Sequence, residues 1–185
     1  MSLLNDVTAF AGNFLGREML KKIIPEKLLI EAAGVWKDQW LLLTSGTMED
    51  CNMMTVAWGS IGCMWNKPFA QIVVRPQRYT MEYLDRSDCF TLCAFPEKYK
   101  QNLLHLGTVS GRDCNKLADT PFTLKASSSV LSPSYEEASL ILECRKMYAQ
   151  NMDPQCFITD TASKVYPEKD YHRIYFGEIV KAFGV

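Results

Sequence analysis

Asn52-Met-Met-Thr-Val-Ala-Trp58 and Phe69-Ala-Gln-Ile-Val-Val74 are short runs rich in β-branched and aromatic residues, separated by a segment containing Gly59, Gly62, Asn66 and Pro68. Composition and boundaries predict strands at Met53–Trp58 and Phe69–Val74. The ten residues between them are too few for the helical crossover that joins parallel strands. The pairing is therefore read as antiparallel. Trp40–Thr44 and Cys89–Phe95 repeat the pattern on either side, and further strands are predicted at Phe122–Ala126, Ser139–Gln150 and Ile174–Ala182. Short helices are predicted from Thr80 to about Asp85 and from Pro96 to Leu106, the second closed by Gly107. Strand-dominated order with a few inserted helices gives a mainly β fold with helices, an antiparallel barrel rather than alternating β-α units.

Outward from this block, residues 1–34 carry helical spacing at Phe10, Phe14, Met19, Leu20, Ile23 and Ile24, broken by Gly12, Gly16 and Pro25. They are read as an N-terminal helical extension, and residues 35–185 as the barrel domain. Gly12 and Gly16 are spaced as in membrane helix pairs, but Asn13, Arg17 and Glu18 exclude that context. No apolar run approaches the ~18 residues of a membrane span. The first residues lack the basic and apolar regions of a secretory signal.

With 185 residues, 48% of them hydrophobic, the chain can bury roughly 70% of its unfolded surface. Disorder and a disulfide scaffold are thereby excluded. The 20 Lys+Arg against 21 Asp+Glu leave no cationic excess for nucleic acid or an anionic membrane. Any anionic ligand must be held locally. Seven cysteines include no Cys-x-x-Cys pair, and their odd number prevents complete pairing within the chain; a reducing, cytoplasmic setting is expected. Cys89 and Cys93 read as small buried hydrophobes. Only His105 and His172 are available as imidazole ligands, so no metal site is expected.

Three polar clusters interrupt the pattern. Arg78-Tyr79-Thr80 follows a strand and opens a helix, so Thr80 is the expected cap, and a guanidinium, a hydroxyl and free amides converge on a positive helix end. The segment reads as an anion site or as a capped helix with a solvated arginine. Ser110-Gly111-Arg112-Asp113, with Lys116 beyond, offers a hydroxyl, a closely approachable backbone and two cations, Asp113 bracing one of them. It reads as a phosphate grip or a polar turn. Facing one ligand together, Arg78, Arg112 and Lys116 would balance a phosphomonoester, which suits a mononucleotide. Asn52 to Trp58 can lie along a heteroaromatic ring or belong to the core. The glycine-rich fingerprints of dinucleotide and triphosphate folds are lacking.

In this order, Asn-x-Met-Thr-x-x-Trp at Asn52–Trp58, Trp65-Asn-Lys-Pro68, Arg75-Pro-Gln-Arg-Tyr-Thr80, Ser110-Gly-Arg-Asp-x-x-Lys116 and Asp170-Tyr-His-Arg-Ile-Tyr-Phe-Gly-Glu-Ile-Val180 resemble the flavin reductase-like, FMN-binding split-barrel family, nearest its flavoredoxin branch. The match covers about residues 35–183. The resemblance implies a split β-barrel homodimer with FMN near the subunit interface. It puts Arg78, Thr80, Ser110 and Lys116 around the phosphate, with a backbone amide from Gly111, and counts Tyr79 of the same motif among the cofactor-binding residues. It puts Asn52, Met54, Thr55 and Trp58 beside the isoalloxazine and ribityl chain. Arg112 points to phosphate, to solvent or across the dimer. His172 is the one candidate for a catalytic acid or base, against a structural role.

Three functions follow as expectations. One is an NAD(P)H-dependent flavin reductase, with NAD(P)H as co-substrate stacking on an exposed flavin. Another is a flavoredoxin-type electron carrier serving a redox protein partner. A third is a ligand-binding or assembly domain without turnover.

Overall fold

The computed structural model describes residues 19–185, so Phe10, Phe14 and the Gly12/Gly16 spacing lie outside the described residues. Ten strands are present among them: β1 (Lys21–Ile23), β2 (Leu41–Gly46), β3 (Cys51–Val56), β4 (Gly59–Met64), β5 (Lys67–Val74), β6 (Cys89–Ala94), β7 (Leu124–Lys125), β8 (Ser134–Tyr135), β9 (Leu140–Asn151) and β10 (Arg173–Gly184). α1 (Thr80–Arg86), α2 (Lys100–Thr108) and α3 (Thr161–Val165) are the α-helices. All strand pairs are antiparallel, in the order β3-β2-β6-β9-β10-β5-β4. β1 continues beside β10 where β5 ends, pairing with Ala182–Gly184. Among the described residues β3 and β4 are the open edges, and the barrel is split rather than closed.

The continuous apolar runs of β2 and β6 have a packing cause. Leu41 and Leu43 point into one core with Phe90, Leu92, Ile72, Leu142 and Tyr175, while Leu42 joins Cys93, Phe95, Leu103, Leu106, Phe122 and Tyr135 in a second core beneath α2. Successive residues alternate faces, so a strand buried on both faces loses the apolar-polar alternation of a half-buried strand. The second core is built around the stacked rings of Phe95 and Phe122, with centroids 4.3 Å apart.

Some expectations are corrected. Ile23, read as helical, lies in β1, and the described part of the extension holds one 3-10 turn at Pro25–Lys27. The two-residue hairpin turn at Trp65 and Asn66 has positive φ at both positions (54° and 58°) and closes β4 onto β5. β4 went unread because its glycines weaken the strand pattern. Gly107 does not close α2 but lies within it. A Cβ there would come 3.1 Å from that of Thr55, so the glycine allows α2 to approach β3 closely.

The long strand β10 bends at a register shift between Phe176 and Gly177. A Cβ on Gly177 would lie 2.6 Å from the Phe90 ring and 2.9 Å from the Cys144 Cβ. Both neighbours are fully buried. Gly177→Ala is expected to cost about 1–3 kcal/mol by overpacking, seen as a lower urea midpoint with an unchanged slope. An unaltered midpoint would show that the bend absorbs a methyl group.

Candidate functional site

Two adjoining clefts open along β3 and the segment that leads from β5 into α1. The first, about 410 Å³, is lined by Asn52, Met54, Arg75, Gln77, Arg78, Tyr79, Thr80, Leu106, Thr108, Val109, Ser110 and Lys116. The second, about 300 Å³, is lined by Met54, Thr55, Val56, Ala57, Trp58, Val73, Arg75, Arg78 and His172. Met54, Arg75 and Arg78 border both. Chain segments distant in sequence thus converge on one elongated depression.

The first cleft is electropositive for local reasons. Lys116 is 4% exposed, and its Nζ donates to the carbonyls of Leu106 (3.1 Å) and Val109 (3.3 Å) at the end of α2. Arg78 donates to the Gly107 carbonyl at 3.1 Å. Both cations thus sit at the negative end of the helix dipole. An ammonium has three donors, so the fold leaves one of Lys116's for the cleft. Burial, helped by the neighbouring Arg78, lowers the Lys116 pKa to about 8.

Thr80 does not cap α1. Tyr79 holds the capping position without a side-chain bond, and the Thr80 hydroxyl accepts a 2.8 Å bond from Asn52 Nδ2. The amides of Met81 and Glu82 are already paired with the carbonyls of Arg78 and Tyr79. The attraction for anions therefore rests on the two cations rather than on free helix amides. Asn52 is itself buried against Gly111, whose Cβ would meet Asn52 Oδ1 at 2.3 Å. The glycine is needed for this close approach, and Gly111 is not among the residues lining the cleft.

Arg112 also stands outside the lining. Its guanidinium lies 4.7 Å from the centre of the Tyr79 ring, donates to the Gln77 carbonyl at 3.0 Å, and pairs with Glu82 rather than Asp113. Its charge is spent bracing the loop. Arg112→Ala is expected to change the affinity for a phosphate-bearing ligand by less than about fivefold, an exposed ion pair being worth at most ~1 kcal/mol. A tenfold loss in a titration would return Arg112 to the anion grip.

The second cleft is more open, with Met54, Val56, Ala57, Trp58 and Val73 in its wall beside Arg75, Arg78 and His172. The Thr55 hydroxyl donates to the Leu103 carbonyl, so its methyl and backbone are what remain for a ligand. Trp58 is 53% exposed, unlike the buried Met54, and its ring centre lies 5.3 Å from that of His172 at 46°. An indole left open beside an imidazole offers a surface for another ring. His172 Nδ1 is 2.8 Å from the Tyr166 hydroxyl. Burial, with Arg75 and then Arg78 contributing, holds the imidazole pKa down to about 4. It is neutral at physiological pH. That fits a hydrogen-bonding group better than a general acid or base working near neutrality.

The sequence reading did not single out Arg75, Gln77 or Tyr166. Arg75 pairs with Asp170, donates to the Val165 carbonyl and lies 5.2 Å from the centre of the Tyr166 ring, while Gln77 donates to Asp170 at 2.7 Å. Together they tie the segment between β9 and β10 to the cleft wall. Arg75 and Gln77 belong to the Arg75–Thr80 motif, whereas nothing in the local pattern marks Tyr166. Among the described residues no group of His, Cys, Asp and Glu could hold a metal ion, all seven cysteines are free, and no helix is long and apolar enough to cross a membrane.

An open antiparallel barrel with clefts along β3 and the β5-α1 turn is a split barrel. Solved structures share it. An FMN-binding domain of flavin reductases-like enzyme from Shewanella baltica has a TM-score of 0.66 and 17% identity, covering 90% of this chain and 77% of that one. A flavoredoxin from Methanosarcina acetivorans has a TM-score of 0.61 and 21% identity, covering 91% and 76%. The 2-nitrobenzoate 2-nitroreductase of Pseudomonas fluorescens has a TM-score of 0.62 and 17% identity, covering 83% and 68%. At such identities the likeness establishes the shared fold. No protein-family model and no curated protein matches the sequence.

Proposed function

We propose that this chain is an FMN-binding oxidoreductase, working as an NAD(P)H-dependent flavin reductase. The observation that carries the reading is the pairing of a cation-walled cleft, with Arg78 and the buried Lys116, to an adjoining cleft along β3 that leaves the Trp58 ring open. A phosphomonoester at one end and a planar heterocycle at the other fit this division of chemistry, and the neighbours include proteins described as FMN-binding.

Lys116, Arg78, Ser110 and Thr80 would hold the phosphate, and Asn52 would keep the Thr80 hydroxyl in place. Met54, Thr55 and Trp58 would flank the ring. The bound flavin supplies the capacity to accept and release a hydride or single electrons. The protein's own part is to bind, orient and partly desolvate. Neutral His172 would give a hydrogen bond rather than move a proton. No separate nicotinamide site is required if the donor stacks on the open face beside Trp58.

A homodimer is part of the same proposal. Trp65 is 61% exposed at the β4-β5 hairpin, beside the open edge of β4 and close in sequence to Trp58. Exposed tryptophans next to an unpaired strand edge suit a second copy of the chain. Light scattering of the FMN-loaded protein is expected to report a dimer, and a monomer at micromolar concentration would remove that part. A cytoplasmic location is proposed from the free cysteines.

Titration of purified protein with FMN, followed by anaerobic mixing with NADH or NADPH, tests the function. Binding and rapid bleaching are expected. Binding without bleaching would favour the flavoredoxin-type electron carrier, and failure to bind would favour a domain without turnover.

A further inference from the structure

The segment between β9 and β10 contributes a pair of groups that no motif marks. Tyr166 is 5% and His172 7% exposed, and the phenol oxygen lies 2.8 Å from Nδ1. The only other partner of this hydroxyl among the described residues is Met152 Sδ at 3.4 Å. A phenol has one proton, and an imidazole nitrogen is a far better acceptor than a thioether. The proton therefore goes to Nδ1. In a neutral ring the other nitrogen must then carry hydrogen, and the ring lines the second cleft beside Trp58.

We propose that Tyr166 is a positioning residue that fixes the tautomer of His172, so that Nε2–H is presented to the cleft as a neutral donor for an acceptor on the edge of a bound aromatic heterocycle. The identity of the heterocycle as flavin rests on the function proposed above; the tautomer does not. Arg75 and Arg78 face the imidazole from the end of β5, Asp170 and Tyr166 from its own segment, and the Trp58 ring from the end of β3. The two guanidiniums and the burial oppose a second proton on the ring, while Asp170 alone favours it. The Arg75–Asp170 pair and the Gln77–Asp170 bond hold the segment that carries the dyad. Tyr166 also contacts Phe157 and Tyr171 through its ring, so Tyr166→Phe removes the hydroxyl and leaves the packing.

The chain has two histidines, so imidazole ¹⁵N spectra separate His172 from His105 by comparison with His172→Gln. The ligand-free protein at pH 7 is expected to show His172 with hydrogen on Nε2. Tyr166→Phe should shift both nitrogens toward the averaged values of exchanging tautomers. Saturation with FMN should move the Nε2 resonance, and Tyr166→Phe should weaken FMN by at most about fivefold, the worth of the one neutral hydrogen bond that an unfixed tautomer puts at risk. Hydrogen on Nδ1 in the parent protein, or the same tautomer in Tyr166→Phe, would overturn the proposal. So would an Nε2 resonance unmoved by bound FMN. Failure of FMN to bind the parent protein at all would instead sink the flavin reading, and the ligand-free spectra would still decide the role of Tyr166.

Discussion

Lys116→Met is expected to weaken FMN binding by roughly ten- to a hundred-fold at pH 7, the range for a lost charge-assisted hydrogen bond of about 1.5–3 kcal/mol. The effect is large because the side chain is buried and the phosphate would have few competing waters. The pH dependence distinguishes this from loss of shape. In the ligand-free fold Lys116 has a pKa of about 8, down from 10.5, so the site loses its ammonium above pH 8. A dianionic ligand restores the proton at a cost that grows with pH. Affinity of the parent protein should then fall by up to about tenfold per unit above pH 8, and that slope should vanish in Lys116→Met. The stability of the ligand-free protein runs the other way. Between 8 and 10.5 the unfolded chain binds the extra proton, so folding is favoured by rising pH in the parent and less so in the variant. Fluorescence titrations from pH 7 to 9 decide the matter, and a flat profile with unchanged affinity in Lys116→Met would remove Lys116 from the anion grip.

What the sequence revealed follows from which interactions are local. Strands bounded by Gly, Pro and Asn, such as Phe69–Val74 within β5 and Cys89–Phe95 around β6, announce themselves through composition. β4, with Gly59 and Gly62, shows too weak a strand pattern and takes its place by pairing with β5 across the Trp65–Asn66 turn, and the two-residue β8 is too short to show a pattern at all. The same division holds at the site. Asn52, Met54, Arg78, Tyr79, Thr80, Ser110 and Lys116 line the first cleft, and Thr55, Trp58 and His172 line the second. Gly111 and Arg112 belong to the motif but serve the loop: one admits Asn52, the other is tied to Glu82 and Tyr79. Motif membership does not say which way a side chain faces. Tyr166 was invisible because its role depends on the tertiary approach of His172, six positions on, across an irregular segment.

Acid sensitivity is the second large effect, and it arises from that buried imidazole. Folded His172 has a pKa of about 4 against an ordinary 6.5, because charging it would strand a cation near Arg75 and Arg78 in a site already short of water. Between those values the unfolded chain holds a proton that the native chain lacks, so stability is fully present above pH 6.5 and declines as the pH falls towards 4. The gap of pKa corresponds to about 3 kcal/mol, reduced to about 2 by screening at the cleft mouth. His172→Gln retains a group able to accept from Tyr166 but carries no titratable nitrogen. It should therefore lose less stability on acidification than the parent protein, by about 2 kcal/mol between pH 7 and pH 4.5, even if it is less stable at pH 7. Carboxylates elsewhere titrate in both proteins and cancel in the comparison. Urea midpoints measured at pH 7, 6, 5 and 4.5 would test this, and parallel declines in the two proteins would show that His172 charges in the folded state without hindrance, which would also remove the reason for treating it as a neutral donor.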